Sequence, residues 1–301
     1  MPLTPDQLAA LPASVQLDDS LADYPLFRIK NAQATAALAL HGAHLIDFVP
    51  HGEQPVLYTS PSAIFQEGQA IRGGVPLCSP WFGTHPEDSS KPFHGFVRNR
   101  FWRFDGAYDL PTGSTQLLFS LHANEVLRKI WPYDFTIVFK VVIGTELEMA
   151  LTYVNLERES VRMGGALHSY FAVSGIDQVS VVGLEQKEFI DAAEGFVRKP
   201  AEGRSLDFDQ WINRVYLAAP RRTRLVDRGW DRTIKIESEG SATTVVWNAW
   251  KQQAADFKDM PDDGYLHYAC IETANADEDM RVLHGGESHE LLAKISLECA
   301  G

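Results

Sequence analysis

DFTIVFKVVIGTELEMALTYVN, running from Asp134 to Asn155, decides the fold class. Asp134 to Ile143 is dense in β-branched and aromatic residues, the types that fit a pleated, half-buried strand. Gly144 interrupts the run, and Glu146 to Asn155 resumes it. Upstream, Thr115 to His122 alternates apolar and polar residues as a strand does. Such segments return about every ten residues with turn residues between them, the rhythm of an antiparallel β sandwich or barrel. No βαβ alternation is present, and the one glycine pair in a suggestive place, Gly73-Gly74, is not followed by a helical pattern. A Rossmann or P-loop architecture is therefore disfavoured.

Outward from this stretch the pattern persists. Toward the N-terminus, Leu26 to Lys30, Ala34 to Leu40, Leu45 to Val49 and Pro55 to Tyr58 read as strands, and Ser60 to Gly68 as a loop. A short helix is expected over Thr4 to Leu11, with Thr4 as its cap, Pro5 at its first position and Pro12 ending it. Toward the C-terminus come Val161 to Ile176, Val179 to Leu184, Trp211 to Leu217, Arg224 to Ile236, Thr243 to Trp250, Tyr265 to Asn275 and Val282 to Leu297. No low-complexity linker or short-period repeat divides the chain, so residues 1–301 are expected to form one domain.

Bulk properties narrow the function. Hydrophobic residues make up 45% of 301, enough for a full core. The formal net charge is −13, which argues against nucleic acid or an anionic membrane as partner. Three scattered cysteines, Cys78, Cys270 and Cys299, form neither a disulfide framework nor a CxxC metal site. His41 and His44 stand three apart, but no third ligand at a convincing spacing supports a metal reading. The N-terminus lacks the features of a signal peptide, and no apolar run is long enough to span a bilayer. A soluble, cytoplasmic monomer is the expectation.

Chemistry concentrates elsewhere. Ile71 to Trp102 crowds glycines, prolines, His85, His94, Arg72, Arg98 and Arg100 together, with Trp81, Phe82, Phe93 and Phe96 as candidate pocket walls. Arginines there suit an anionic group or sugar hydroxyls. His168 and Glu272 each sit in apolar company, where an ionisable group is costly without a partner. Taken singly, each reads as a satisfied core residue. Taken together, a carboxylate and an imidazole can accept and donate protons in concert.

AIRGGVPLCSPWFG (Ala70 to Gly83), FHGFVRNRFW (Phe93 to Trp102), LHSYFAV (Leu167 to Val173), VVWNAW (Val245 to Trp250) and CIETAN (Cys270 to Asn275) occur in an order that resembles the aldose 1-epimerase (mutarotase) superfamily. The nearest resemblance is to its glucose-6-phosphate 1-epimerase branch, also called hexose-6-phosphate mutarotase. The resemblance implies a large antiparallel β supersandwich, a sugar phosphate substrate, and neither metal nor redox cofactor. It implies that Glu272 takes the proton of the C1 hydroxyl and His168 gives one to the ring oxygen, from opposite sides of the hemiacetal. It assigns His94, Arg72 and Arg98 to substrate binding, with Lys91 close by. Relatives carry Asp where this chain has Asn213, and Asp209 is the candidate substitute. Phe93, ahead of His94, is a second departure. A non-catalytic sugar-binding sandwich, a mutarotase of free aldoses and, least favoured, a glycosidase are the alternatives.

Overall fold

The structure, a computed structural model, describes residues 3–21 and 23–299. Phe135–Ile143 is a strand that buries every second side chain, Phe135, Ile137, Phe139, Val141 and Ile143. Burying each such side chain contributes about 1.5–3 kcal/mol, so this one strand is a large part of the core's driving force. It pairs antiparallel with Leu147–Asn155 on one side and Thr115–His122 on the other. These three lie within a nine-stranded sheet that runs Leu206–Asp207, Val179–Val182, Arg222–Asp227, Arg232–Glu239, Ser288–Cys299, Leu147–Asn155, Phe135–Ile143, Thr115–His122, Arg103–Asp109.

An eight-stranded sheet faces it. Its order is Val197–Lys199, Phe189–Asp191, Ile212–Tyr216, Thr243–Asn248, Tyr268–Asn275, Gly165–Leu167, Leu77–Cys78, with Tyr170–Ala172 also paired to Tyr268–Asn275. A four-stranded sheet, Val15–Asp18 to His44–Pro50, and a two-stranded ribbon complete the β structure of the described residues. All strand pairs are antiparallel, so the expected β supersandwich is what forms.

Tyr268–Asn275 is buried along its whole length. Its odd residues, Ala269 and Ile271, join the core between the sheets. Its even residues, Tyr268, Cys270, Glu272 and Ala274, face the other way, because side chains alternate along a strand. That second face carries the candidate site.

Several expectations change in detail: Pro55 to Tyr58 is no strand, only a single bridge from Leu57 to Phe171. The N-terminal helix spans only Pro5–Ala9, with Thr4 and Gln7 in a capping box; Leu8 is exposed, and Leu11 packs on the core beyond the helix end. Arg224 to Ile236 is not one strand. Asp227 accepts the amides of Gly229 and Trp230, which turns the chain between Arg222–Asp227 and Arg232–Glu239. Thr243 to Trp250 is a strand only to Asn248, and Trp250–Asp256 is a helix. A helix over Glu125–Ile130, capped by Asn124, lies in a stretch to which the periodicity assigned nothing. No helix among the described residues is long and apolar enough to cross a membrane.

Candidate active site

Strand register assembles the site. Asn213 lies opposite Trp247, Trp247 opposite Cys270, and Cys270 opposite Tyr170. One step along, Val215 lies opposite Val245 and Val245 opposite Glu272. Residues directly opposite share a face, so Asn213, Trp247, Tyr170 and Glu272 look to one side. Adjacent strands are about 4.8 Å apart, which sets Asn213 about 10 Å from the Glu272 strand. The side chain of the half-buried Asn213 makes no hydrogen bond with a described residue.

His168 follows Gly165–Leu167, where its backbone amide donates to the Pro76 carbonyl at 3.1 Å. This brings His168 Nε2 to 3.4 Å from Glu272 Oε1. The pair is adjacent, not separated by the width of a sugar ring as the opposite-sides expectation had it. The imidazole stacks on Tyr170, with ring centroids 4.9 Å apart, and meets Trp247 and His94 edge-on. His168 Nδ1 and Glu272 Oε2 are buried without a hydrogen-bond partner among the described residues.

His94 approaches from the loop after Trp81. Its backbone has φ +65°, and its amide donates to the Gly83 carbonyl at 2.8 Å. Its Nδ1 accepts the Gly83 amide at 3.0 Å, which fixes the neutral tautomer with hydrogen on Nε2. Phe82 and Phe93 flank the ring at 4.5 and 4.0 Å. Of the four aromatics expected as walls, Trp81 and Phe96 are instead buried in the core, where their size is used for packing.

Burial drives His168 down to about 3 and His94 well below its ordinary value, with the charge of Arg98 adding to both. Burial raises Glu272 well above the carboxylate range, and Arg98 alone pulls it back. Burial thus disfavours the charged form of each partner. Arg98 donates to the Phe93 carbonyl at 3.0 Å, and its Nε is buried without a partner among the described residues.

Arg72 is held by Asp259, whose Oδ1 accepts its Nε–H at 3.1 Å, and by Phe257, 4.0 Å below the guanidinium. The Gly73-Gly74 turn beside it comes close to protein backbone: a Cβ on Gly73 would lie 2.4 Å from the Thr59 Cα, and one on Gly74 2.2 Å from the Leu45 oxygen. His44 Nε2 braces this turn through the Gly73 oxygen at 2.7 Å. His41, the other histidine of that pair, bonds Tyr24 and the Gly68 amide.

Lys91 Nζ lies 3.4 Å from His85 Nε2 in the loop that leads to His94. Asp209 is exposed ahead of Ile212–Tyr216 and makes no hydrogen bond or ion pair with a described residue. The structure thus gathers His168, Glu272, His94, Arg98 and Arg72 in one neighbourhood, puts Asn213 on the same face, and leaves Asp209 without a contact to any of them. Tyr170, Trp247, Phe257 and Asp259 belong to the same surroundings and were not singled out by sequence pattern. Only VVWNAW and LHSYFAV, which hold Trp247 and Tyr170, carried any signal for them. Glu272 is 1% exposed, His168 7%, His94 9% and the Arg72 side chain 23%, so approach from solvent is over Arg72 and the histidines.

The family model described as Aldose 1-epimerase matches residues 25–296. A relative from Escherichia coli (strain K12), named "Putative glucose-6-phosphate 1-epimerase", is 34% identical over 289 residues, covering 94% of this chain and 96% of its own. A crystal structure from Salmonella typhimurium, described as a "putative mutarotase", superposes with a TM-score of 0.89 at 31% identity, covering 98% of this chain and 99% of that one. The crystal structure of HI1317 follows at a TM-score of 0.79 and 28% identity, covering 96% and 97%.

Proposed function

From the premise that this chain belongs to the aldose 1-epimerase family, and is thus an isomerase of the epimerase type, we propose that it interconverts the α and β anomers of a hexose 6-phosphate. The observation that carries the reading is the buried His168–Glu272 contact at 3.4 Å with Arg98 and Arg72 nearby. The C1 hydroxyl and the ring oxygen of a pyranose share one carbon. An acceptor and a donor a few ångströms apart therefore suit both oxygens from a single edge of the ring.

Glu272 as carboxylate takes the C1 hydroxyl proton while protonated His168 gives its proton to the ring oxygen. The C1–ring oxygen bond breaks, and C1 becomes an aldehyde. Rotation about the C1–C2 bond presents the other face, and the same transfers run backward to close the ring. The pair holds one proton when the sugar is cyclic, on His168, and one when it is open, on Glu272. Burial favours the neutral, ring-open arrangement, while the Arg98 charge favours the Glu272 carboxylate and disfavours the His168 imidazolium. The His94 Nε2–H is a fixed donor for a neighbouring sugar oxygen. Arg72 takes the phosphate, and Asn213 reaches hydroxyls on the far side of the ring.

Anomer exchange of glucose 6-phosphate and of glucose, followed by saturation-transfer NMR, tests this. The purified chain should accelerate exchange of glucose 6-phosphate well above the spontaneous rate and act less on glucose. Exchange of both sugars at only the spontaneous rate would leave a sugar-binding sandwich without turnover.

A further inference from the structure

Arg72 carries the charge assigned above to the substrate's phosphate, yet no described group near it in the chain holds its guanidinium. The three groups that constrain its guanidinium come from elsewhere. Asp259 and Phe257 lie 187 and 185 residues along the chain, in the connection that follows the helix Trp250–Asp256. The phenol of Tyr170 sits beside the same guanidinium, and its ring is the one stacked on His168. The connection is itself firmly seated. Ala254, Met260 and Tyr265 pack with Tyr170, Tyr268 and Cys270, and Trp250 packs on Tyr265 at 5.3 Å. Asn248 Nδ2 ties the entry to this segment through the Tyr265 and Tyr268 carbonyls, both at 2.9 Å.

We infer that Asp259 is a positioning residue: by fixing Arg72 through Nε, it aims the remaining guanidinium N–H groups at the anionic tail of the substrate and sets the preference for phosphorylated over free sugars. The inference rests on the proposed hexose 6-phosphate reading. Its chemistry is that of a fork. Arginine has five N–H donors in a rigid plane, and Asp259 uses one of them. Phe257 on one face blocks rotation out of that plane. Preorganised donors bind an anion more tightly than mobile ones because less side-chain freedom is lost on binding. Tyr170 links this arrangement to the catalytic pair, since one ring touches both Arg72 and His168.

The test uses the full chain with Asp259→Ala and Asp259→Asn, glucose 6-phosphate and glucose as substrates, and calorimetric titration with inorganic phosphate. Loss of a charge-assisted hydrogen bond that orients a binding group should raise KM for glucose 6-phosphate roughly tenfold, with kcat changed much less. The kcat/KM ratio of glucose 6-phosphate over glucose should fall by a similar factor, and phosphate affinity with it. Asp259→Asn, which keeps an acceptor for Nε–H, should recover most of the loss. Equal losses on both sugars with unchanged phosphate affinity would reduce Asp259 to a packing role and overturn the inference. Tighter phosphate binding in Asp259→Ala would overturn it too, by making Asp259 a competing anion. Wild-type chain without glucose 6-phosphate exchange would sink the functional reading instead, and the phosphate titration would still decide whether Asp259 orients Arg72.

Discussion

In the proposed reaction Glu272 is the proton acceptor, and its surroundings make the expected effect of changing it large. Glutamine keeps the shape and removes the proton acceptor, so Glu272→Gln should lower kcat for anomer exchange by about 10²–10⁴-fold, the usual contribution of a general base. His168→Ala should do the same, and the double variant should lose little more than either, because the two transfers belong to one step. An undiminished rate in Glu272→Gln excludes it as the base. Fold stability should not explain the loss: neutral glutamine matches the neutral form that burial already favours at Glu272, so urea midpoints of wild type and Glu272→Gln should be close. At this scale the sequence was informative for a particular reason. His168 and Glu272 stand in apolar runs where an ionisable group is conspicuous, and Arg72, His94 and Arg98 sit in a stretch too rich in glycine, proline and aromatics to be plain strand. Asp259 was invisible because it is one of several carboxylates in a polar connection, and only the tertiary fold sets it against Arg72.

Among elements, the loop from Trp81 to His94 is anchored at one backbone crossing. Ser79 bridges Gly95, and the Phe96 amide donates to the Ser79 oxygen at 3.0 Å. Gly95 has φ +71°, and a Cβ there would lie 1.8 Å from the Ser79 oxygen. Gly52 has a similar φ, +85°, with open space around it. Gly95→Ala should therefore destabilise by several kcal/mol, whereas Gly52→Ala should cost only about 1 kcal/mol of backbone strain. Urea unfolding of the two variants checks this, and equal costs would mean that the crossing yields easily. Because His94 is the neighbour of Gly95, Gly95→Ala should also raise KM for the sugar. The strands themselves were legible, since alternation in Phe135–Ile143 records which side faces the core. The helix Trp250–Asp256 was not. Its start is set by Asn248, whose Oδ1 accepts the Trp250 amide while its Nδ2 bonds carbonyls about 20 residues away, and no local pattern encodes that partner.

Over the whole molecule, two pH effects compete, and their balance is predictable. The net charge of −13 shrinks on acidification toward the sequence pI near 5.2, which relieves self-repulsion and by itself favours the folded state. Against this stand four buried histidines kept neutral by desolvation. His41 is lowered to about 4, His44 and His168 to about 3, and His94 well below its ordinary 6.5. Each binds its proton in the unfolded chain near pH 6.5 but only far lower in the folded one. Between about pH 6.5 and 4 the unfolded state thus holds more protons, and stability falls as pH falls. Glu272 and Asp47, raised by burial, work in the opposite sense, since the folded state keeps their protons where the unfolded state has released them. His85 and His289, lowered by desolvation as well, add to the histidine side, so the unfolded state takes up more protons on acidification, and each is worth about 1.4 kcal/mol per pH unit. Surface repulsion at 0.15 M salt acts over only about 8 Å, so the histidines should dominate there. The unfolding free energy should drop by a few kcal/mol from pH 6.5 to pH 5, read from urea titrations at constant ionic strength. His41→Asn should lower stability at every pH yet flatten the slope, because one titrating group is gone while its neighbours Tyr24 and Gly68 lose a partner. A stability that stays level or rises on acidification would mean that charge relief, not buried imidazole, governs this fold below neutrality.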